Sequence, residues 1–206
     1  MTPTRIMEAL IIDALEQGIT ARSDLRKDVD KILKAVAIIV SAFRDGKKIL
    51  AAGNGGSAAD AQHFVAEFEA RYSLERRGLP ALCLNANGST LTAWANDFTF
   101  DAVFARQIEA HGRPGDVFIA LSTGGGSLTE AHSRNVALAA KKAKEMGLFV
   151  VGLAGRDGGA LKEIADVCII VKSKDTARIQ ECHMAILHIL AELVERAMFV
   201  EGATSA

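Results

Sequence analysis

His63 and Glu67 stand four residues apart, which on a helix puts both side chains on one face. An imidazole and a carboxylate at that spacing can hold a divalent cation or share the transfer of a proton. Much later in the chain Gln180, His183 and His188 offer a second set of ligating and titrating groups. His188 is enclosed by Ala185-Ile186-Leu187 and Ile189-Leu190-Ala191, where a buried polar group must find a partner. The plain alternative is a core histidine bonded to a backbone carbonyl. Gln180 and His183 are neighbours on a helix, whereas Gln180 and His188 lie roughly 12 Å apart along its axis. Spacing alone therefore pairs Gln180 with His183.

Two glycine-rich segments could hold an anion. Gly53-Asn54-Gly55-Gly56-Ser57 follows the apolar run Ile49–Ala52 and leads into a helix starting near Ala58. Glycines allow a tight turn, and the first N–H groups of a helix point unpaired at whatever lies beyond it. Leu121-Ser122-Thr123-Gly124-Gly125-Gly126-Ser127 repeats the arrangement with hydroxyls added, a set able to meet phosphate oxygens without a lysine. The first segment fails the spacing of a dinucleotide fingerprint, and Leu84-Asn85 stands where that fingerprint needs an acid.

Something must bring these segments together. Short apolar runs at 49–52, 81–84, 117–121, 149–153 and 167–171 alternate with helical patterns near 57–70, 101–110, 133–146, 158–165 and 176–199. That alternation predicts an α/β fold, a doubly wound five-stranded parallel sheet buried on both faces. Two N-terminal helices, at 4–17 and 22–44, precede it. Open sheets of this kind bind ligands at the carboxyl ends of their strands, where both glycine-rich turns fall. The chain of 206 residues, half of them hydrophobic, reads as one domain over 1–206, with 1–45 packing on the core and in an oligomer. The last helix is apolar around most of its circumference from Met184 to Val194, and a second subunit is the expected cover.

With 24 Lys+Arg against 25 Asp+Glu, no net field recommends nucleic acid or an anionic membrane. No apolar stretch is long enough to span a bilayer, and the acid-bearing N-terminus is unlike a signal peptide. Cys83, Cys168 and Cys182 sit among apolar neighbours without CxxC spacing, as reduced thiols do in the cytoplasm.

The run from Ala52 to His63 with Glu67, then Asn96-Asp97, then Ile179-Gln180-Glu181-Cys182-His183 with His188 resembles the phosphoheptose isomerases of the sugar isomerase (SIS) family. The resemblance extends over nearly the whole chain and implies the flavodoxin-like SIS fold. It also implies conversion of sedoheptulose 7-phosphate to D-glycero-D-manno-heptose 7-phosphate through an enediol, for bacterial surface polysaccharide. It implies a homotetramer with sites between subunits and one zinc ion per subunit on His63, Glu67, Gln180 and His188. Glu67 and His188 would transfer protons, so that His188 displaces the His183 that spacing prefers. Asn54, Gly55, Gly56, Ser57, Asn96, Asp97, Ser122, Thr123, Gly124, Ser127 and Gln180 would contact the sugar phosphate.

Three departures stand out. Relatives commonly read Ser-Thr-Ser-Gly-x-Ser in the second loop, where this chain has Gly124 and loses a hydroxyl. Leu128-Thr129-Glu130-Ala131-His132-Ser133 intervenes before Arg134-Asn135, leaving Ser127 and Ser133 as rivals for the last phosphate contact. Asn87 stands where relatives often carry an aspartate. A non-catalytic SIS adaptor that binds the DNA replication initiator is the alternative reading, against which the joint presence of His63, Glu67, Gln180 and His188 counts. A sugar-phosphate-sensing regulator ranks lower, since the chain carries no added DNA-binding module.

Overall fold

A computed structural model of the protein describes residues 3–200. Five parallel strands, β1 (Ile49–Ala52), β2 (Ala81–Cys83), β3 (Val117–Ser122), β4 (Phe149–Gly155) and β5 (Val167–Val171), form one sheet in the order β2-β1-β3-β4-β5. Successive strand residues point to opposite faces. Accordingly Ile49, Ala51, Val117, Ile119 and Leu121 enter one apolar core, while Leu50, Ala52, Phe118 and Ala120 enter the other. Burial on both faces is why these strands read as unbroken apolar runs.

Helices α1 (Pro3–Asp24), α2 (Val29–Arg44), α3 (Gly56–Glu69) and α8 (Thr176–Phe199) serve the first core. Helices α4 (Gly88–Asp97), α5 (Val103–His111), α6 (Arg134–Glu145) and α7 (Leu161–Ile164) serve the second. The order reverses between β1 and β3, so the two glycine-rich turns leave adjacent strands at one switch point, where this architecture opens a crevice.

The expected elements differ from the observed ones in four places. The first helix runs unbroken to Asp24 and meets α2 through a 3-10 turn at Leu25–Asp28. Helix α4 was not foreseen: it buries none of its residues, its large apolar side chains are only Leu91 and Trp94, and Asn87 starts it by accepting the Thr90 N–H at 3.1 Å. The helix expected at 158–165 shrinks to four residues because Gly158 and Gly159 turn the chain with φ of 94° and 49°. Lastly, α8 is largely covered within its own chain, by α1, α2, α3 and the sheet, so its apolar circumference does not by itself call for a second subunit. The longest run of exposed large apolar side chains among the described residues is on α1, where Ile6, Met7, Leu10, Ile11, Ile12, Leu15 and Ile19 are all exposed. No helix of the described residues is long and apolar enough to cross a membrane.

Candidate active site

The first loop is held rigid by its neighbours. Asn85, at the end of β2, grips the Gly53 peptide from both sides, its Oδ1 accepting the Gly53 N–H at 3.1 Å and its Nδ2 donating to the Gly53 carbonyl at 2.9 Å. A Cβ on Gly53 would lie 2.6 Å from the Ser57 carbonyl oxygen, and Gly55 has φ 55°, so glycine is required at both positions. The buried Ser57 closes the turn by donating its N–H to the Asn54 carbonyl at 3.0 Å. Asn54 and Asn135, in the first turn of α6, exchange amide hydrogen bonds of 2.8 and 2.9 Å. This pair joins the first loop to the helix that follows the second loop.

Ser122 ends β3 with its hydroxyl buried and without a hydrogen-bond partner, an arrangement that native structures seldom leave unexplained. Thr123 and Gly124 follow, half-buried. Gly125 and Gly126, at φ 73° and 69°, pass beneath the Gly158-Gly159 turn, and Ala160 and Leu161 donate to their carbonyls at 2.9 and 3.0 Å. The Ser127 hydroxyl accepts the N–H groups of Thr129 and Glu130 at 3.2 and 3.0 Å, which folds the intervening segment back on itself. Ser133 instead heads α6 in a left-handed conformation, two positions before Asn135. Of the two serines, Ser133 belongs to the turn that touches the first loop.

A cleft of about 880 Å³ adjoins Gly124 rather than His63 and is lined also by His132, Arg156, Asp157, Lys172, Ser173 and Lys174. Its cationic lining favours an anionic ligand beside the second loop.

His63 and Glu67 project from α3 and His188 from α8. His63 Nε2 is 2.9 Å from His188 Nε2 and 3.0 Å from Glu67 Oε1, and the ligating atoms of these residues lie within 4.8 Å of one another. One proton on His63 cannot serve both contacts, so three lone-pair-bearing atoms converge with too few hydrogens between them. A cation held by the three would resolve that conflict. Donors around tetrahedral zinc stand about 3.3 Å apart, given Zn–N distances of about 2.0–2.1 Å, so the two contacts of His63 are within a few tenths of an ångström of that spacing.

The two helices run side by side in the same direction. A Cβ on Gly56 would lie 2.3 Å from Gln180 Nε2, so Gln180 meets the N-terminus of α3 beside the first loop. About two turns further on, His63 meets His188. Gln180 therefore sits at the loop end of the helix pair and His188 at the carboxylate end. His183 points elsewhere: fully buried, it bonds the Ala154 carbonyl at 3.1 Å, and burial pushes its pKa down to about 4 despite that bond. The pairing of Gln180 with His183 suggested by spacing is thus not formed. Asn96 and Asp97 are exposed at the end of α4 and bonded to each other at 2.9 Å.

Spacing pointed to none of several residues that the structure draws in. Asp60, one turn before His63, is buried with Oδ2 unpartnered, and desolvation raises its pKa against a lowering by His63. Asn85, Arg76 and Glu195 act through long-range contacts. The one local signal was Glu195 itself, an acid on the His188 face of an apolar helix.

Residues 17–155 match the SIS domain family. The chain is 52% identical over 171 residues to a phosphoheptose isomerase of Geobacter sp. (strain M21), covering 83% of this chain and 86% of that one. It is 43% identical over 198 residues to a phosphoheptose isomerase of Clostridium acetobutylicum, covering 95% and 98%. Among solved structures, phosphoheptose isomerase from Neisseria gonorrhoeae superimposes with a TM-score of 0.84 at 37% identity, covering 92% of this chain and 98% of that chain.

Proposed function

From the premise that this chain belongs to the phosphoheptose isomerases of the SIS family, we propose that it converts sedoheptulose 7-phosphate to D-glycero-D-manno-heptose 7-phosphate as a step in heptose supply for surface polysaccharide. The observation that carries this reading is the convergence of His63, Glu67 and His188 from two helices, with α3 beginning at one of the two anion-ready loops.

Aldose–ketose isomerisation removes a proton from one carbon and returns one to its neighbour through an enediol, while a second group moves protons on oxygen. Glu67 takes the carbon-bound proton, and His188 exchanges protons with the hydroxyl and carbonyl oxygens. Ser122, Thr123 and Ser133, with the N-terminal turn of α3, hold the phosphate, and the cationic cleft beside Gly124 attracts it. Gln180, against Gly56, orients the sugar between loop and cluster. His63, Glu67 and His188 would hold a zinc ion; Gln180, two turns away along its own helix, would join that set, as the family resemblance implies, from a neighbouring subunit. That ion would polarise the carbonyl and stabilise negative charge on oxygen. Asn96 and Asp97, exposed in one chain, contact substrate at a subunit boundary.

The exposed stripe on α1 supports association of the one-domain subunits, read here as a homotetramer with α1 at its centre, and the three free cysteines fit a cytoplasmic protein. Turnover of sedoheptulose 7-phosphate by the purified protein, followed by chromatography of the sugar phosphates, tests the assignment. A protein that binds zinc yet leaves the ketose unchanged at any enzyme concentration would overturn it.

A further inference from the structure

Resting on that reading, we propose that Arg76 and Glu195 form a positioning clamp that fixes Glu67 against His188, acting through the backbone rather than on substrate. Glu195 follows His188 by two helical turns and lies on the same face of α8. It is 2% exposed and accepts four hydrogen bonds: from the N–H groups of Tyr72, Ser73 and Leu74 at 3.1, 2.8 and 2.9 Å, and from Arg76 Nε at 2.7 Å. Burial alone would raise its pKa, but the amides of Leu74, Ser73 and Tyr72 and the guanidinium hold it below the usual carboxylate range.

The rest of the Arg76 fork reaches the end of α3. Nη2 donates to the Glu67 carbonyl at 2.7 Å, and Nη1 donates to the carbonyls of Phe68 at 2.9 Å and Arg77 at 3.0 Å. A helix leaves its last carbonyls unpaired, and here one of them belongs to the residue read as the base. The chain of contacts runs from the Glu67 backbone through Arg76 to Glu195 and down two turns of α8 to His188. It completes a ladder between the parallel helices: Gly56 with Gln180, His63 with His188, and the Glu67 carbonyl with Glu195 by way of Arg76. The same carboxylate holds the backbone of Tyr72, whose ring lies 6.1 Å from the His188 ring.

Both side chains of the pair are 2% exposed. A buried ion pair is weak support for stability, because desolvation offsets most of the attraction. What this one supplies is geometry, and groups that orient ligands from outside the first layer typically matter by about 10- to 100-fold in metal affinity or activity.

Arg76→Lys is the discriminating variant, since it keeps a cation opposite Glu195 but cannot span the carboxylate and three carbonyls at once. Zinc affinity is measured on apo protein by competition with a chromophoric chelator, beside kcat, KM for sedoheptulose 7-phosphate and the thermal midpoint. The expected result is zinc binding and kcat each reduced about 10- to 100-fold, with KM within about threefold because the phosphate loops lie at the other end of the helices. Folded Arg76→Lys with zinc affinity and kcat within threefold of the parent overturns the clamp alone. A parent that neither binds zinc nor turns over the ketose overturns the functional reading and the clamp with it. If Arg76→Lys does not fold, the isosteric Glu195→Gln carries the same expectation and the same refutation.

Discussion

Gly124→Ser should tighten the binding of the sugar phosphate. The site tolerates the change: a Cβ at 124 would find only His132 Cδ2, at 3.8 Å, an ordinary contact, and Gly124 is not among the glycines with positive φ. A new hydroxyl beside Ser122 and Thr123 could donate to a phosphate oxygen, and hydrogen bonds to charged groups contribute about 1.5–3 kcal/mol. Ordering the side chain costs roughly 0.5–1.5 kcal/mol. The net, about 1–2 kcal/mol, corresponds to a dissociation constant lower by about 5- to 30-fold. Gly125→Ala is the contrasting control, because its Cβ at φ 73° would run into the Gly158 carbonyl oxygen, and it should lose binding or fold. Titration calorimetry in a Glu67→Gln background, where the sugar is not consumed, gives the constants. A folded Gly124→Ser protein that binds no tighter than its parent would refute the placement of phosphate at this position. Absence of binding heat in both would move the second loop out of the substrate site altogether.

Glu67→Gln and His188→Gln should each lower kcat by about 10²–10⁴-fold without unfolding the protein, whereas His183→Gln should be much milder in turnover. Similar kcat values for the two histidine variants would undo the separation of their roles. His183 also sets a pH dependence of stability. Its folded pKa, about 4, lies below the ordinary 6.5, so the unfolded chain binds a proton that the folded one refuses. Stability is then full above about pH 6.5 and is lost as pH falls toward 4, by on the order of 3 kcal/mol. Urea midpoints at pH 7 and pH 5 for parent and His183→Gln check this, and a parent-like decline in the variant would assign the effect elsewhere. Finally, the parent should scatter light as a tetramer, while Ile11→Asp combined with Leu15→Asp, on the exposed α1 stripe, should give species near the chain mass of 21.9 kDa. A parent of that mass removes the tetramer.

The strands were legible because each is apolar on both faces and short, and α8 because its pattern is long and unbroken. Both glycine-rich loops were legible because glycines and hydroxyls at a strand end have few other uses. Helix α4 was hidden for the opposite reason. Gly88-Ser89-Thr90 is poor helical material, and a helix that only half-buries Leu91 and Trp94 carries little periodic signal. Arg76 and Glu195 were invisible as a pair because 119 residues separate them, and nothing local to either names the other.

The choice between His183 and His188 shows where spacing arguments fail. Proximity along one helix favours i and i+3, which selects His183 as the partner of Gln180. The observed neighbours of Gln180 and His188 are on α3 instead, where Gly56 and His63 are separated by seven residues and so span about 10.5 Å at 1.5 Å per residue. Gln180 and His188, eight residues apart, span about 12 Å on the same scale. Two parallel helices with nearly matched steps bring far-apart residues into register at two levels, one at the phosphate loop and one at the histidine–carboxylate cluster. A sugar phosphate is itself such an object, with its anion at one end and its reacting carbons several bonds away. On the proposed reading, the separation that looked like an argument against His188 is what lets one substrate reach both levels.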